Sequence, residues 1–290
     1  MRNPFALPAR GAGDDRPLCP WETPEHEAYY VPVDHTDDAF TEFQVTAESA
    51  LAGEVATFTV LVQGLQGCGK TALTHRCAFW MRKRSAELGV ESHIIDLTAD
   101  GLQGSDVVAR RVHICGRLVD ALRVARLFSG EELMIFRERQ DHPEQLLPLL
   151  ADLLKASNQR LIVLTPKFEL LRELEAWRDA ARQHLVFFCE ASQAVELHGL
   201  DRVITLEVGP LDVHDGWLFV QSRLGAVAAD PSPVTDEETV RKFMEKRIAH
   251  RGTTTIHELQ RTCAFVFQAA VREARDAVAY EDFQNYYWGV

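Results

Sequence analysis

Short runs of β-branched and aromatic residues alternate with amphipathic segments through the middle of the chain. Each run ends at glycine, at a polar residue or at a turn, as buried strands do. The alternation of such strands with helical segments predicts a parallel sheet covered by helices on both faces. The predicted strands span residues 57–63, 92–98, 160–165, 184–190 and 202–208.

The segments between these strands carry apolar residues at helical spacing. Leu73, Cys77 and Trp80 fall on one face, so a helix is predicted after the first strand. Ser105 is the expected N-cap of the helix after the second strand. The segment 131–136, EELMIF, fits a helix or a strand equally. Further helices are predicted from the pair Asp141 and Glu144 to about residue 156, and over residues 170–177.

The strand pattern stops after Val208, and only helical patterns follow. Acidic or hydroxyl residues three positions before a carboxylate predict the helix starts in this part of the chain. These capping pairs are Asp212 with Asp215, Thr235 with Glu238, and Thr255 with Glu258. The C-terminal third is therefore predicted to be an all-helical domain.

Residues 1–40 are rich in proline, glycine and aspartate and show no apolar period. This composition predicts an extended or disordered arm. Its segments NPF and PWETPEHEAYY either dock on a protein partner or belong to a loose tail. The predicted organisation is an arm over 1–40, an α/β core over 41–208 and a helical lid over 209–290.

Composition narrows the class of protein. Hydrophobic residues make up 46% of the 290 residues, which is enough for a substantial core. The net charge of −12 argues against bulk electrostatic binding of nucleic acid, although a local basic face stays open. The six scattered cysteines predict reduced thiols in a cytoplasmic protein, and no apolar run predicts a signal peptide or a membrane span.

The segment GLQGCGKT, residues 64–71, fits the pattern G-x-x-x-x-G-K-[ST]. It follows a β-branched strand and opens an amphipathic helix, which is the context that phosphate binding requires. Backbone N–H groups would cradle phosphates, Lys70 would reach the β- and γ-phosphates, and Thr71 would offer its hydroxyl to Mg²⁺. The alternative is a strand-to-helix turn with incidental glycines.

The loop therefore predicts a bound nucleotide, ATP or ADP, with Mg²⁺ held through Thr71. Cys68 is either a packing residue or a thiol whose pKa is low because it lies at a helix N-terminus. The expected nucleotide contacts are Gly64, Gln66, Gly67, Cys68, Gly69, Lys70, Thr71 and Ala72.

A carboxylate is expected at the end of a second hydrophobic strand, where it supports Mg²⁺ and hydrolysis. The third strand ends instead in Thr165, Pro166 and Lys167. Glu190, at the end of the fourth strand, and Asp96, at the end of the second, are the two candidates to replace it. Either one of them serves, with Glu190 as the catalytic candidate, or hydrolysis is impaired.

From about residue 40 to the end, the order of these parts resembles the AAA+ and STAND superfamily of P-loop ATPases, with origin-recognition-like and transposition-helper-like members nearest. Besides the glycine loop, three segments carry the resemblance. They are similar to the last core strand with the first lid helix, to the lid's long helix, and to the family's C-terminal helix. The segments are 197–224, 247–270 and AVAYEDFQNYY.

The resemblance implies that Arg202, just before the last strand, is an arginine finger for a neighbouring subunit, and therefore that the chain forms a homo-oligomer. The alternative is a surface arginine at the start of a strand. The resemblance also implies an arginine in the lid pattern G-x-x-R, where this chain has GTTT at 252–255. Arg251 or Arg261 would have to stand in. These departures affect turnover more than binding.

Three functions are open at this point. The first is a nucleotide-dependent switch or assembly ATPase, with ATP between the core and the lid. The second is a catalytically degenerate scaffold in which the nucleotide is a structural ligand. The third is a small-molecule kinase, which shares the glycine loop and would use the basic stretch EKRIAHR to enclose an acceptor.

Overall fold

The computed structural model describes residues 1–10, 14, 16–51, 57–101, 106–195, 201–227 and 230–288. The chain forms two compact units, each discontinuous in sequence. The sheet unit comprises Thr41–Gln63 and Cys77–Leu206. The loop unit comprises Met1–Phe40, Gly64–Arg76 and Glu207–Val290, so it combines the N-terminal segment, the glycine loop and the C-terminal helices. The division into an arm, a core and a lid with boundaries near residues 40 and 208 remains a prediction.

A five-stranded parallel sheet lies at the centre of the sheet unit, and helices accompany its strands, as the alternating pattern predicts. All five predicted strands are confirmed, in the spatial order β2-β3-β4-β1-β5. Their bounds are β1 Thr59–Gln63, β2 Glu91–Asp96, β3 Gln159–Leu164, β4 Leu185–Ala191 and β5 Val203–Glu207.

The central strands β1 and β4 are buried along their whole length, which is why they read as continuous apolar runs. They pair in parallel with Val62 opposite Glu190 and Gln63 opposite Ala191. The carboxyl ends of β1 and β4 therefore lie side by side, and the chain leaves β1 there to enter the glycine loop.

Six helices belong wholly or mainly to the sheet unit. One apolar cluster unites the inner faces of four of them, those over residues 107–180, with the sheet, and Leu150, Phe136 and Phe187 are completely buried in it. The ambiguous segment 131–136 lies in a helix whose start is fixed by a capping box between Ser129 and Glu132. The helices are α1 Thr36–Leu51, α2 Lys70–Glu87, α3 Val107–Ala125, α4 Gly130–Arg139, α5 Pro143–Ala156 and α6 Leu171–Ala180.

Two predicted caps are displaced by one residue. The helix predicted from Asp141 begins after His142, which makes no side-chain cap bond, because Pro143 occupies the first turn and needs no N–H partner. Asp236 caps the helix predicted from Thr235. Ser105 lies outside the described residues, and the cap described for α3 is Asp106, which accepts the N–H of Ala109.

The loop unit contains the C-terminal helices α7 Val213–Ala226, α8 Glu237–Arg251, α9 Ile256–Arg272 and α10 Tyr280–Trp288. The predicted capping boxes Asp212–Asp215 and Thr255–Glu258 are both confirmed. The helices enclose a second apolar core in which Phe243 and Phe267 are completely buried. An all-helical C-terminal region is thus confirmed.

The N-terminal segment is packed in its described residues rather than disordered. The Asn3 side chain donates to the Ala264 carbonyl at 2.8 Å, and Gln260 donates to the Phe5 carbonyl at 2.8 Å. The Phe5 ring lies in the helical core, 4.8 Å from the Phe267 ring centroid. A 3₁₀ helix, Pro24–Tyr29, follows. Single apolar residues hold this segment in place by packing on residues far along the chain. The local sequence therefore shows no periodic pattern that would predict its packing.

None of the described helices combines the length and the apolar character that crossing a bilayer requires.

We expect Phe5→Ala to lower the free energy of unfolding by about 3 kcal/mol, because it leaves a cavity among aromatic rings. The matched control is Phe265→Ala, since Phe265 is 57% exposed and its loss should cost at most about 1 kcal/mol. Urea denaturation measures both. Equal, small effects of the two substitutions would show that the N-terminal segment contributes no packing.

Candidate functional site

The glycine loop joins the end of β1 at Gln63 to the start of α2 at Lys70. Gly64 has φ +147°, and a Cβ there would lie 2.0 Å from the Val208 carbonyl oxygen. Gly67 has φ +84°, and its Cβ would lie 2.8 Å from the Thr255 hydroxyl. Both positions require glycine for conformation and for space. The loop backbone therefore packs closely against the segments that contain Val208 and Thr255.

Lys70 folds back over the loop from the first residue of α2. Its ammonium donates to the carbonyls of Gly64 and Leu65, both at 2.8 Å, and the side chain is buried. These carbonyls hold the positive charge at the mouth of the loop, where a phosphate would compete for it. Thr71 is half-buried in the same helical turn, and Gln66 is exposed.

The start of α9 packs directly on the loop. The His257 N–H donates to the Gly67 carbonyl at 3.1 Å, next to the Thr255 cap. Two helix N-termini, those of α2 and α9, therefore meet at one glycine loop. Each brings the partial positive charge of a helix N-terminus, which favours a bound anion.

The lid pattern GTTT places Thr255 at this contact, where the family resemblance implies an arginine. Neither proposed substitute is held there by a described contact. Arg251 is exposed at the end of α8, with its guanidinium 5.9 Å from the Tyr287 ring centroid. Arg261 is exposed on α9. Their role as second sensors stays a prediction.

A cavity of about 50 Å³ adjoins the loop inside the loop unit. The loop contributes Cys68 and Gly69 to its wall, and the first turn of α2 contributes Ala72. Val33 and Leu211 supply apolar surface from the N-terminal segment and from the approach to α7. Its mainly apolar lining suits a planar base or a similar small group.

Asp34 supplies a carboxylate to the same cavity. Burial raises its pKa to about 6, although a hydrogen bond donated by the Gly209 N–H opposes the shift, and the negative charge of Asp215 adds to it. The carboxylate is therefore ionised and able to accept hydrogen bonds at pH 7.5, and it becomes protonated as the pH falls through 6.

Arg223 reaches the cavity from α7 and is 4% exposed. Sequence reasoning missed it, yet a signal was present. Gly216, Phe219, Val220 and Arg223 follow the i, i+3, i+4, i+7 spacing of one helical face, and all four are buried. An arginine on the apolar stripe of a helix is unusual enough to mark a site.

The reading of Cys68 as a reactive thiol is wrong. Burial raises its pKa to about 11, and the nearby Asp34 charge adds to the shift, whereas Lys70 opposes it. Desolvation thus outweighs the helix N-terminus. All six cysteines are described, all are buried, and none of them forms a disulfide.

The two candidate acids occupy different strands of the sheet unit. Glu190 is 7% exposed and lies opposite Val62, next to the strand that leads into the glycine loop. Asp96 ends β2, from which β3 and β4 separate β1, a distance of roughly 14 Å at the usual strand spacing. The Asp96 carboxylate accepts the N–H and the hydroxyl of Thr98 at 2.9 and 2.7 Å, as in a local turn.

Thr165 follows β3 at the place where a carboxylate was expected. Its side chain is buried, and its hydroxyl donates to the Phe188 carbonyl at 3.1 Å. The hydroxyl thus ties β3 to β4 and is committed to holding the sheet together.

Arg202 precedes β5 and is about one-third exposed. Its guanidinium lies 3.9 Å from both the Asp179 and the Asp201 carboxylates. Such long, partly exposed ion pairs hold a side chain weakly. Its assignment as an arginine finger stays a prediction.

Comparison with known proteins gives matches in structure alone. No protein-family model and no curated protein matches the sequence. The Aeropyrum pernix ORC2 protein, solved as ADPNP–ADP complexes, superposes with a TM-score of 0.58 and 12% identity, covering 86% of this chain and 66% of that chain. Caenorhabditis elegans PCH-2 superposes with a TM-score of 0.54 and 14% identity, covering 89% of this chain and 69% of that chain.

The Aeropyrum pernix ORC1 protein, solved in complex with DNA, gives a TM-score of 0.54 and 17% identity, covering 84% of this chain and 63% of that chain. The present chain thus spans about two thirds of the length of each of these structures. At these identities the similarity establishes the fold.

Gly64→Ala should lower the free energy of unfolding by at least about 2 kcal/mol, because the new methyl group meets a backbone carbonyl and the backbone conformation is unfavourable for alanine. Gly225→Ala in α7 is the matched control, since no atom lies within 4 Å of its Cβ position. That control should be neutral or stabilising by up to about 1 kcal/mol. Equal thermal melting of the two variants would contradict the tight loop.

Native protein should resist alkylation at Cys68. A thiol with a pKa of about 11 is ionised in roughly three molecules in ten thousand at pH 7.5. We expect labelling by iodoacetamide, followed by peptide mass spectrometry, to be at least 100-fold slower than for a free cysteine, about the ratio of the two thiolate fractions. Unfolding in guanidinium should expose all six thiols. Rapid labelling of native Cys68 would restore its reading as a reactive thiol.

Proposed function

We propose that this chain, whose fold is that of AAA+ P-loop ATPases, binds ATP at residues 64–71 and acts as a nucleotide-dependent switch or assembly ATPase. The observation that carries the proposal is the meeting of two helix N-termini at a loop whose glycines admit no side chain. This arrangement favours a polyphosphate over other ligands.

Lys70 and Thr71 are the side chains assigned to the phosphates and to the metal. The Lys70 ammonium exchanges its two carbonyl partners for phosphate oxygens. Thr71 offers its hydroxyl to Mg²⁺ from the first turn of α2. When bound, Mg²⁺ neutralises phosphate charge and orients the terminal phosphate.

The cavity beside the loop takes the base in this proposal. Cys68 and Gly69 belong both to the loop and to the cavity wall, so one ligand can occupy the two. The low reactivity of Cys68 fits a wall residue rather than a redox centre. Val33 and Leu211 provide the apolar surface on which a purine ring packs.

A switch requires that ligand binding at the loop change the structure of another part of the chain. The hydrogen bond from His257 to Gly67 provides the link, because any ligand that moves the loop backbone also moves the start of α9. α9 runs from that contact into the helical core of the loop unit. Nucleotide occupancy is thereby transmitted to the helices that a partner or a second copy would contact.

Glu190 is the acid proposed to activate water for hydrolysis. Its support is the register of the sheet, which places it opposite Val62, two residues before the loop begins. Asp96 is the weaker alternative because its strand, β2, is separated from β1 by two strands and because its carboxylate caps a turn. Arg202 is proposed to act on a neighbouring copy, which makes the active form a homo-oligomer.

A catalytically degenerate scaffold is the second candidate, and the Thr165 hydrogen bond favours it. No carboxylate follows β3, so the residue expected to support the metal is missing. A nucleotide at 1,000 times its Kd stabilises a folded protein by about 4 kcal/mol without being hydrolysed. Stabilisation alone is therefore a sufficient use for the cradle.

The proposed setting is cytoplasmic, with a protein partner or a second copy as the interacting molecule. The net charge of −12 gives no bulk attraction to nucleic acid. Contact with DNA is a property of the ORC1 structure named above and is not proposed here. Asn3 and Phe5 are engaged inside the chain, so a partner would use other parts of the N-terminal segment.

Lys70→Ala should weaken ATP binding at least 10-fold, since it removes the one side-chain charge assigned to the phosphates. Lys155→Ala, at an exposed lysine near the end of α5, should leave binding unchanged. Isothermal calorimetry with Mg²⁺ and ATP measures both. Wild-type protein that binds neither ATP nor ADP would refute the proposed function.

Glu190→Gln should retain ATP binding and lose at least 100-fold in turnover, because glutamine cannot accept the proton of the attacking water. Asp96→Asn should keep wild-type turnover. Phosphate release and calorimetry on the same preparations give the two readouts. Tight ATP binding with no turnover by wild-type protein would favour the scaffold. Transfer of phosphate to a small acceptor would favour a kinase. Loss of turnover in Asp96→Asn but not in Glu190→Gln would identify Asp96 as the catalytic acid.

A further inference from the structure

One buried positive charge in the cavity lacks an acidic partner. Arg223 donates from Nη1 to the Tyr29 carbonyl at 2.7 Å. Its Nε has no hydrogen-bond partner among the described residues. No carboxylate in the described part of the chain lies within 4.0 Å of the guanidinium. A guanidinium has five N–H donors, and the protein uses one of them here.

Aromatic rings offset part of the cost of burying this charge. The guanidinium carbon lies 5.1 Å from the Tyr29 ring centroid and 4.8 Å from that of Phe219. Burial nevertheless lowers the pKa of Arg223 to about 10. Ring faces stabilise a cation without satisfying its N–H groups, so the remaining donors stay available to a ligand.

The position of the charge indicates which part of a ligand it meets. Arg223 and the loop residues Cys68 and Gly69 line one cavity. Lys70 and the two helix N-termini already serve the phosphates at the loop itself. A nucleotide bound by its phosphates would project its base into the cavity that Arg223 lines. The exposed edges of a purine carry ring nitrogens, which are hydrogen-bond acceptors.

We propose that Arg223 donates a hydrogen bond to a ring nitrogen of the purine and thereby contributes to recognition of the base. The inference rests on the proposed nucleotide site and adds the residue that recognises the base. Arginine suits this role because it is a pure donor with fixed planar geometry. A donor left unpaired by the wrong base weakens binding more than a missing apolar contact does.

The test uses ATP, its 1-deaza, 3-deaza and 7-deaza analogues, and tripolyphosphate. Each analogue replaces one ring nitrogen by C–H and keeps the shape of the base. Wild-type protein should bind one of the three at least 10-fold more weakly than ATP. Arg223→Met should lose about the same factor for ATP, should bind ATP and that analogue equally, and should bind tripolyphosphate as the wild type does.

Arg272→Met is the matched control, because Arg272 is exposed at the end of α9. It should retain the wild-type preference. Arg223→Lys, which keeps the charge with different geometry, serves if the methionine variant does not fold. The analogue series on wild-type protein is informative without any variant.

Two results would overturn the inference. Equal binding of ATP and all three analogues by wild-type protein would mean that Arg223 meets no ring nitrogen. If Arg223→Met loses affinity equally for ATP, the analogues and tripolyphosphate, the arginine has only the structural role of joining Tyr29 to α7. In both cases ATP binding by the wild type survives, whereas failure of the proposed function would abolish binding of ATP and tripolyphosphate alike.

Discussion

The hydrogen bond between the His257 N–H and the Gly67 carbonyl is the contact on which the rest of this site depends. It holds the N-terminus of α9 against a loop that already opens α2. The contact exists only because Gly67 has no side chain, since a Cβ would meet Thr255 at 2.8 Å. The proposed phosphate binding and the proposed coupling to α9 both rest on this close approach of two backbones.

The loop unit concentrates charge where apolar surroundings make it costly. Lys70 is stabilised by two carbonyls, Arg223 by one carbonyl and two rings, and Asp34 by one N–H group. All three groups lie at the loop or its cavity. Among them, Arg223 keeps an Nε without a hydrogen-bond partner in the described part of the chain. Buried groups of this kind are more often found at binding sites than in structural cores. A ligand that supplies the missing partner would stabilise the folded unit.

The corrected start of α8 and the corrected pKa of Cys68 both involve distant segments. Sequence patterns identify a helix reliably, but several neighbouring residues are able to cap it. Asp236 caps α8, whereas the Thr235 hydroxyl donates to the Val278 carbonyl, a partner 43 positions away. The pKa of Cys68 is a second example. The helix start that would lower this pKa is visible in the local sequence, whereas the burial that raises it depends on distant segments. Both errors come from tertiary contacts that compete with a local rule.

The sequence by itself determined the five strands, their parallel arrangement and the glycine loop between β1 and α2, because each depends on short-range periodicity and on residues adjacent in the chain. The tertiary structure alone decided that Phe5 packs into the C-terminal helices and that Val33, Cys68 and Arg223 line one cavity. It also decided which acid lies next to β1, since strand order cannot be read from strand pattern. The physical reason is that burial and register depend on residues far apart in sequence, whose proximity no local pattern encodes.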